Sequence, residues 1–125
     1  PITLEIDYQL EQEVTGLRVG FYLFTTRGEP VFTSFDTDSS ELFAEHTSRA
    51  KGVYTSRCVI PANTMNEGRF FLGLNASSYG IRRYFQDEQA LSFSVDASGA
   101  PGTHWPEARP GAVRPVLNWE IEKKA

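Results

Sequence analysis

The chain has one cysteine, Cys58, so no internal disulfide is available to it. Its two histidines, His46 and His104, each stand alone in a polar stretch, without a second His or Cys at metal-ligand spacing, and no metal site is expected. No apolar run approaches the roughly 18 residues of a membrane helix. The opening Pro1-Ile2-Thr3-Leu4-Glu5-Ile6-Asp7 alternates where a signal peptide would be continuously apolar. Basic residues are scattered and the net charge is -4, which removes the electrostatic footprint of a nucleic-acid binder. Neither a G-x-S-x-G elbow nor a G-x-x-x-x-G-K-[ST] loop is present, so no hydrolase nucleophile, no nucleotide cradle and no cofactor is expected.

Helical periodicity is equally scarce, and alternation with a period of two takes its place. Ile2, Leu4, Ile6 and Tyr8 share one face of a first strand. Leu17, Val19, Phe21 and Leu23 share one face of a second, which the turn Arg27-Gly28-Glu29-Pro30 folds back into Val31-Phe32-Thr33-Ser34-Phe35 as a hairpin. Val53 to Ile60 makes a further strand, with Cys58 as a small apolar residue inside it, and Asn66-Glu67-Gly68 turns it into Arg69 to Ala76 as a second hairpin. Leu91, Phe93 and Val95 repeat the pattern. After a Gly/Pro-rich link, Leu117, Trp119 and Ile121 alternate in a last strand whose Trp119 belongs in the core. With 125 residues and 40% hydrophobic composition, one core over residues 1–125 is expected. The fold class is all-β, an immunoglobulin-like antiparallel β-sandwich of about seven or eight strands. The absence of a leading methionine and the start in mid-strand are those of a piece of a longer protein.

Residues 36–52 form a long polar connection, with a short helical turn at Ser39 to Ala44 capped by a serine and with Leu42 and Phe43 covering the sandwich. The acidic run Asp36-Thr37-Asp38-Ser39-Ser40-Glu41 offers oxygen ligands but lacks the central glycine and full ligand series of a calcium loop, so turn and cap chemistry explains it. Asn75-Ala76-Ser77 matches a glycosylation acceptor, a chance match without a secretory signal.

The faces opposite the core are the more informative ones. They should be wet, yet the second strand carries Arg18, Gly20, Tyr22 and Phe24 there, and the strand from Arg69 carries Phe71, Gly73 and Asn75. A sugar ring offers apolar C–H faces ringed by hydroxyls, and a glycan site therefore combines a flat aromatic with polar donors. Tyr22, Phe24 and Phe71, with Asn75 and Arg57 beside them, supply that mixture, and Trp105 in its loop is a second platform. Tyr79 and Tyr84, near Arg82 and Arg83, are weaker candidates. No catalytic residue is expected.

The closing run Arg109-Pro110-Gly111-Ala112-Val113-Arg114-Pro115-Val116-Leu117-Asn118-Trp119 has the form R-x-G-x-V-x-P-x-x-x-W. Upstream stand Gly52-Val53-Tyr54, Ile60-Pro61-Ala62-Asn63 and Glu67-Gly68-Arg69-Phe70, and before them Leu17 to Phe21, Gly28 and Val31-Phe32. In this order and spacing they resemble the carbohydrate-binding C-terminal domain of Wzt-type ATPase subunits of O-antigen ABC transporters. The resemblance implies non-catalytic binding of lipid-linked O-antigen polysaccharide for export, at the cytoplasmic face of the bacterial inner membrane. It also implies an upstream ATPase domain, a permease partner reached through that domain, and a homodimer formed by exchange of the last strand. Prolines at 101, 106, 110 and 115 stiffen the link and fit such an exchange. Two alternatives stay open: a structural or dimerisation module whose outer aromatics meet protein, and a small hydrolase whose paired carboxylates no sequence can place.

Overall fold

Alternating segments with one apolar side need a second layer to hide that side from water, and this chain builds two. The computed structural model describes residues 1–124. In chain order the elements are β1 (Ile2–Leu10), β2 (Val14–Thr15), β3 (Leu17–Thr25), β4 (Pro30–Phe35), a 3-10 turn (Asp36–Asp38) and α1 (Ser40–Glu45). There follow β5 (Ser48–Arg49), β6 (Gly52–Ile60), β7 (Gly68–Ser78) and β8 (Arg82–Val95). The larger sheet has four strands in the order β4-β3-β7-β8; the smaller has two, β1 and β6, with β2 and β5 forming a short ladder of their own. All pairs are antiparallel.

Register follows the alternation. In the smaller sheet Ile2 lies opposite Ile60 and Tyr8 opposite Tyr54, so inward residues face inward residues. In the larger sheet Phe21 meets Leu74 and Leu23 meets Leu72, while the next residues point outward. Phe21, Leu23, Phe70 and Leu72 from the larger sheet pack with Ile60 and Met65, and with the partly buried Ile2, Leu4 and Cys58 from the smaller. A second cluster of Val14, Leu17 and Val19 lies against Ile6, Tyr8 and Leu10. Each fully buried side chain among them contributes about 1.5–3 kcal/mol by leaving water, and the partly buried ones less.

The turn after β3 is the expected one. Gly28 takes a φ of 79°, and the Thr25 hydroxyl accepts hydrogen bonds from the backbone N–H of Arg27 at 3.3 Å and of Glu29 at 3.2 Å. Ser39 caps α1, its hydroxyl accepting from the Leu42 N–H at 3.3 Å. Phe43 stays exposed and covers nothing.

Two expectations about the strands also fail. Val53–Ile60 and Arg69–Ala76 do not form a hairpin: β6 pairs with β1 and β7 with β3 and β8, so the link from Pro61 crosses between layers. Each strand buries only one face, and the two faces can meet only if the strands lie in different sheets. The last strand is the other failure. Pro115 to Lys124 carries no strand of its own, and Trp119, expected in the core, is 87% exposed, with Ile121 at 101%. Pro115 has no N–H to offer a ladder, and the restricted φ of the prolines before it leads the chain away from its own sheets.

What precedes Pro115 is anchored. The Asn66 side-chain amide, on a residue 3% exposed, donates to the carbonyls of Arg109 at 2.6 Å and Gly111 at 2.8 Å. The Asn66 N–H donates to the Ala112 carbonyl, and the Arg114 N–H to that of Thr64. Buried Arg114 donates through Nε to the Pro101 carbonyl at 3.0 Å. The closing run is thereby pinned to the crossing link.

Candidate functional site

β3 and β7 set the outward face row by row. Arg18 lies opposite Ser77, Gly20 opposite Asn75, Tyr22 opposite Gly73 and Phe24 opposite Phe71. Tyr22, Phe24 and Phe71 are half-buried on this face, as outward residues of a two-layer fold should be, and their ring surfaces remain partly accessible. Tyr22 and Phe24 have centroids 6.1 Å apart, and Tyr22 meets Phe35 edge-on at 6.3 Å.

Phe35 reaches this face because Gly20 leaves room. A Cβ on Gly20 would sit 2.7 Å from Cδ1 of Phe35 and would also collide with the Ser34 carbonyl. Gly73 acts similarly toward β8, whose backbone at Asp87 and Glu88 would lie 3.0 Å from an added Cβ. Here the register of β7 against β8 shifts, and Tyr22 has no side chain competing with it from β7.

Asn75 is 5% exposed and engaged within the face: its Oδ1 accepts from the Ser77 hydroxyl at 2.9 Å and its Nδ2 donates to Gln86 at 3.3 Å. It thereby links the buried Ser77 to the exposed Gln86. Arg18, Tyr22, Asn75, Ser77, Tyr79 and Gln86 are among the residues lining an open hollow of about 420 Å³. Phe24, Phe71, Glu88 and Gln89 help line a smaller one of about 120 Å³.

Of the six residues expected to bind glycan, four therefore share one face: Tyr22, Phe24, Phe71 and Asn75. Arg57 does not. It stands on β6 in the other layer, exposed, with Nε 3.1 Å from the Glu5 carboxylate. Its own alternation is outward as read, but sheet order, which alternation does not encode, removed it from the group. Trp105 follows β8 in a loop, exposed, with its ring 5.5 Å from that of His104, and it lines neither hollow. Phe35 and Gln86 join the face unannounced. The only signal for Phe35 was its place two residues beyond Thr33, on the outward side of the hairpin.

A second polar assembly lies between the layers. Arg49, 4% exposed, donates through Nη1 to Asp36 Oδ2 at 3.0 Å and through Nη2 to Asp36 Oδ1 at 3.1 Å, to the Tyr8 hydroxyl and to the Leu17 carbonyl. Asp36 also accepts from the Ser56 hydroxyl and the Val19 N–H. Burial alone would lower the Arg49 pKa, but the hydrogen bond and charge of Asp36, with help from Tyr8, outweigh it and hold the guanidinium above its ordinary range. The group stays charged and ties the long connection to both sheets. Tyr8 stacks on Tyr54 at 5.5 Å, beside a hollow of about 220 Å³ under α1. Among the described residues no cluster of His, Cys, Asp and Glu is placed to hold a metal ion, and no helix is long and apolar enough to cross a membrane.

The family described as the Wzt C-terminal domain matches residues 1–105. The chain belongs to that family. A solved Wzt C-terminal domain is similar in fold, with a TM-score of 0.68 at 12% identity, over 96% of this chain and 69% of that one. No curated protein matches the chain in sequence. The resemblance read from the motif order and the antiparallel sandwich are thus both upheld for this Wzt C-terminal domain. The structural match covers nearly the whole chain, whereas the family match stops at Trp105, before the anchored run from Arg109.

Proposed function

We propose that this domain is the non-catalytic polysaccharide-binding part of a Wzt-type ABC transporter subunit, capturing lipid-linked O-antigen at the cytoplasmic face of the inner membrane. An upstream ATPase domain and, through it, the permease complete the assembly. The observation that carries this reading is the outward face of β3, β7 and β8, where the half-buried Tyr22, Phe24 and Phe71 rings share one side with the exposed amide of Gln86. Stacking on one ring with a few exchanged hydrogen bonds gives affinities from micromolar to millimolar, about -8 to -4 kcal/mol.

A dimer by exchange of the last strand accompanies it. The smaller sheet has only two strands against four. β6 borders β4 along one hollow, so the uncovered side of the sandwich lies over β8. There Leu91 and Phe85, paired with inward-facing Leu72 and Ala76, remain half exposed. A Leu117-Trp119-Ile121 stripe from a second copy, added beside β1, supplies the missing cover.

Titrating the purified domain with O-polysaccharide from its own source tests the function. Tyr22→Ala and Phe71→Ala should each weaken binding about tenfold or more, as base-on-ring stacking does elsewhere, with dimer and melting temperature unchanged. No glycan binding by the wild-type domain, with the dimer lost in Tyr22→Ala or Phe71→Ala, would instead establish a purely structural module.

A further inference from the structure

Arg18, Arg82 and Arg83 are among the residues lining the hollow above Ser77, Arg82 at its edge, and no acidic side chain lines it. Arg18 and Arg83 flank Ser77 in a single row across β3, β7 and β8. Like charges facing one another along a sheet row are destabilising, and among the described residues no carboxylate pairs with any of the three. This concentration of positive charge stands in a chain of net charge -4.

The guanidinium groups are held rather than loose. Arg18 lies 4.1 Å from the Phe35 ring centroid and 5.1 Å from that of Tyr79, with Nε donating to Ser77 at 3.4 Å. Arg83 donates to Gln86 at 2.9 Å, and Arg82 sits 5.1 Å from the Tyr84 ring. Gln86 in turn donates to Glu88, the nearest acid linked to the group, which belongs to the neighbouring hollow. Stacking fixes the guanidinium plane and leaves its edge free to donate, which is the arrangement that receives a carboxylate or phosphate.

We infer that this end of the face is an anion subsite, and that the glycan segment seated on Tyr22 carries a negatively charged substituent, a carboxylate or phosphate, that Arg18 and Arg83 grip with Arg82 supporting. The inference rests on the glycan-binding reading and names its substrate class. Arg18 and Arg83 take the charged group from either side of Ser77. Tyr22 supplies the ring platform one row along.

The test compares oligogalacturonate with its methyl-esterified, neutral counterpart on the intact domain, following backbone and side-chain amide shifts by NMR. The acidic probe should bind about tenfold tighter, and the advantage should shrink between about 50 mM and about 500 mM salt. In an Arg82→Gln/Arg83→Gln double variant, at exposed positions where relief of like-charge repulsion should keep the melting temperature from falling, the preference should vanish. A hexose 1-phosphate should shift the same Gln86 amide. Equal binding of acidic and neutral probes overturns the subsite, as does inorganic phosphate alone competing as tightly as the oligosaccharide, which would mark a site for the free ion. The two readings fail separately. Arginine variants that bind native O-polysaccharide normally while Tyr22→Ala does not would sink only the subsite; an acidic probe indifferent to Tyr22→Ala would sink glycan stacking.

Discussion

Arg49 and Asp36 meet fork to fork between the two layers, with Nη1 to Oδ2 at 3.0 Å and Nη2 to Oδ1 at 3.1 Å. Through Asp36 the pair holds the end of β4, and through Arg49 it holds β5, so residues 36–49 close into a loop fastened at both ends. Removing one partner leaves the other charge buried without compensation. Asp36→Ala should cost about 3–5 kcal/mol in urea unfolding, whereas Arg49→Lys should recover only part of the wild-type value because an ammonium has no fork.

Gly20 and Phe35 form a lock of space rather than of charge. Gly20→Ala should displace the Phe35 ring and cost about 1–3 kcal/mol in thermal unfolding. The clash with the Ser34 carbonyl remains whatever stands at 35, so pairing Gly20→Ala with Phe35→Ala should rescue only the part due to the ring. A cycle with no coupling between the two sites would show that the ring does not sit where a Cβ would.

Asn66 joins two remote segments with one amide. Asn66→Ala strands the Arg109 and Gly111 carbonyls and should cost about 1–3 kcal/mol, with amide exchange rising first at Ala112 to Arg114. A uniform rise across all strands would argue that the closing run is not separately anchored.

The exposed stripe after Pro115 predicts concentration-dependent assembly. Deleting residues 116–125 should yield a monomer by analytical ultracentrifugation, with Leu91 and Phe85 left open to hydrophobic dye. Trp119→Ser alone should raise the dimer dissociation constant without lowering the stability of the monomer. A dimer that survives the deletion unchanged would place its interface elsewhere.

Much of this architecture was written in local pattern. Strict alternation along Ile2 to Tyr8 announced an inward and an outward side, because a strand has no other way to place successive side chains. The Gly28 turn and the Ser39 cap are equally local, each satisfied within a few residues. The outward aromatics Tyr22, Phe24 and Phe71 followed from the same arithmetic once the inward set was known.

Residue order by itself thus determined that this chain is a β-sandwich of the Wzt C-terminal kind, with rings on the outside of its second strand. Only the tertiary structure decided which strands share a sheet. That choice put Arg57 and Tyr22 in different layers and set Arg18 beside Arg83 across Ser77. It also left Trp119 without cover from its own chain. The physical reason is that alternation fixes a side chain's face through covalent geometry, whereas sheet order and strand ownership depend on which remote surfaces remain unburied once the core has closed.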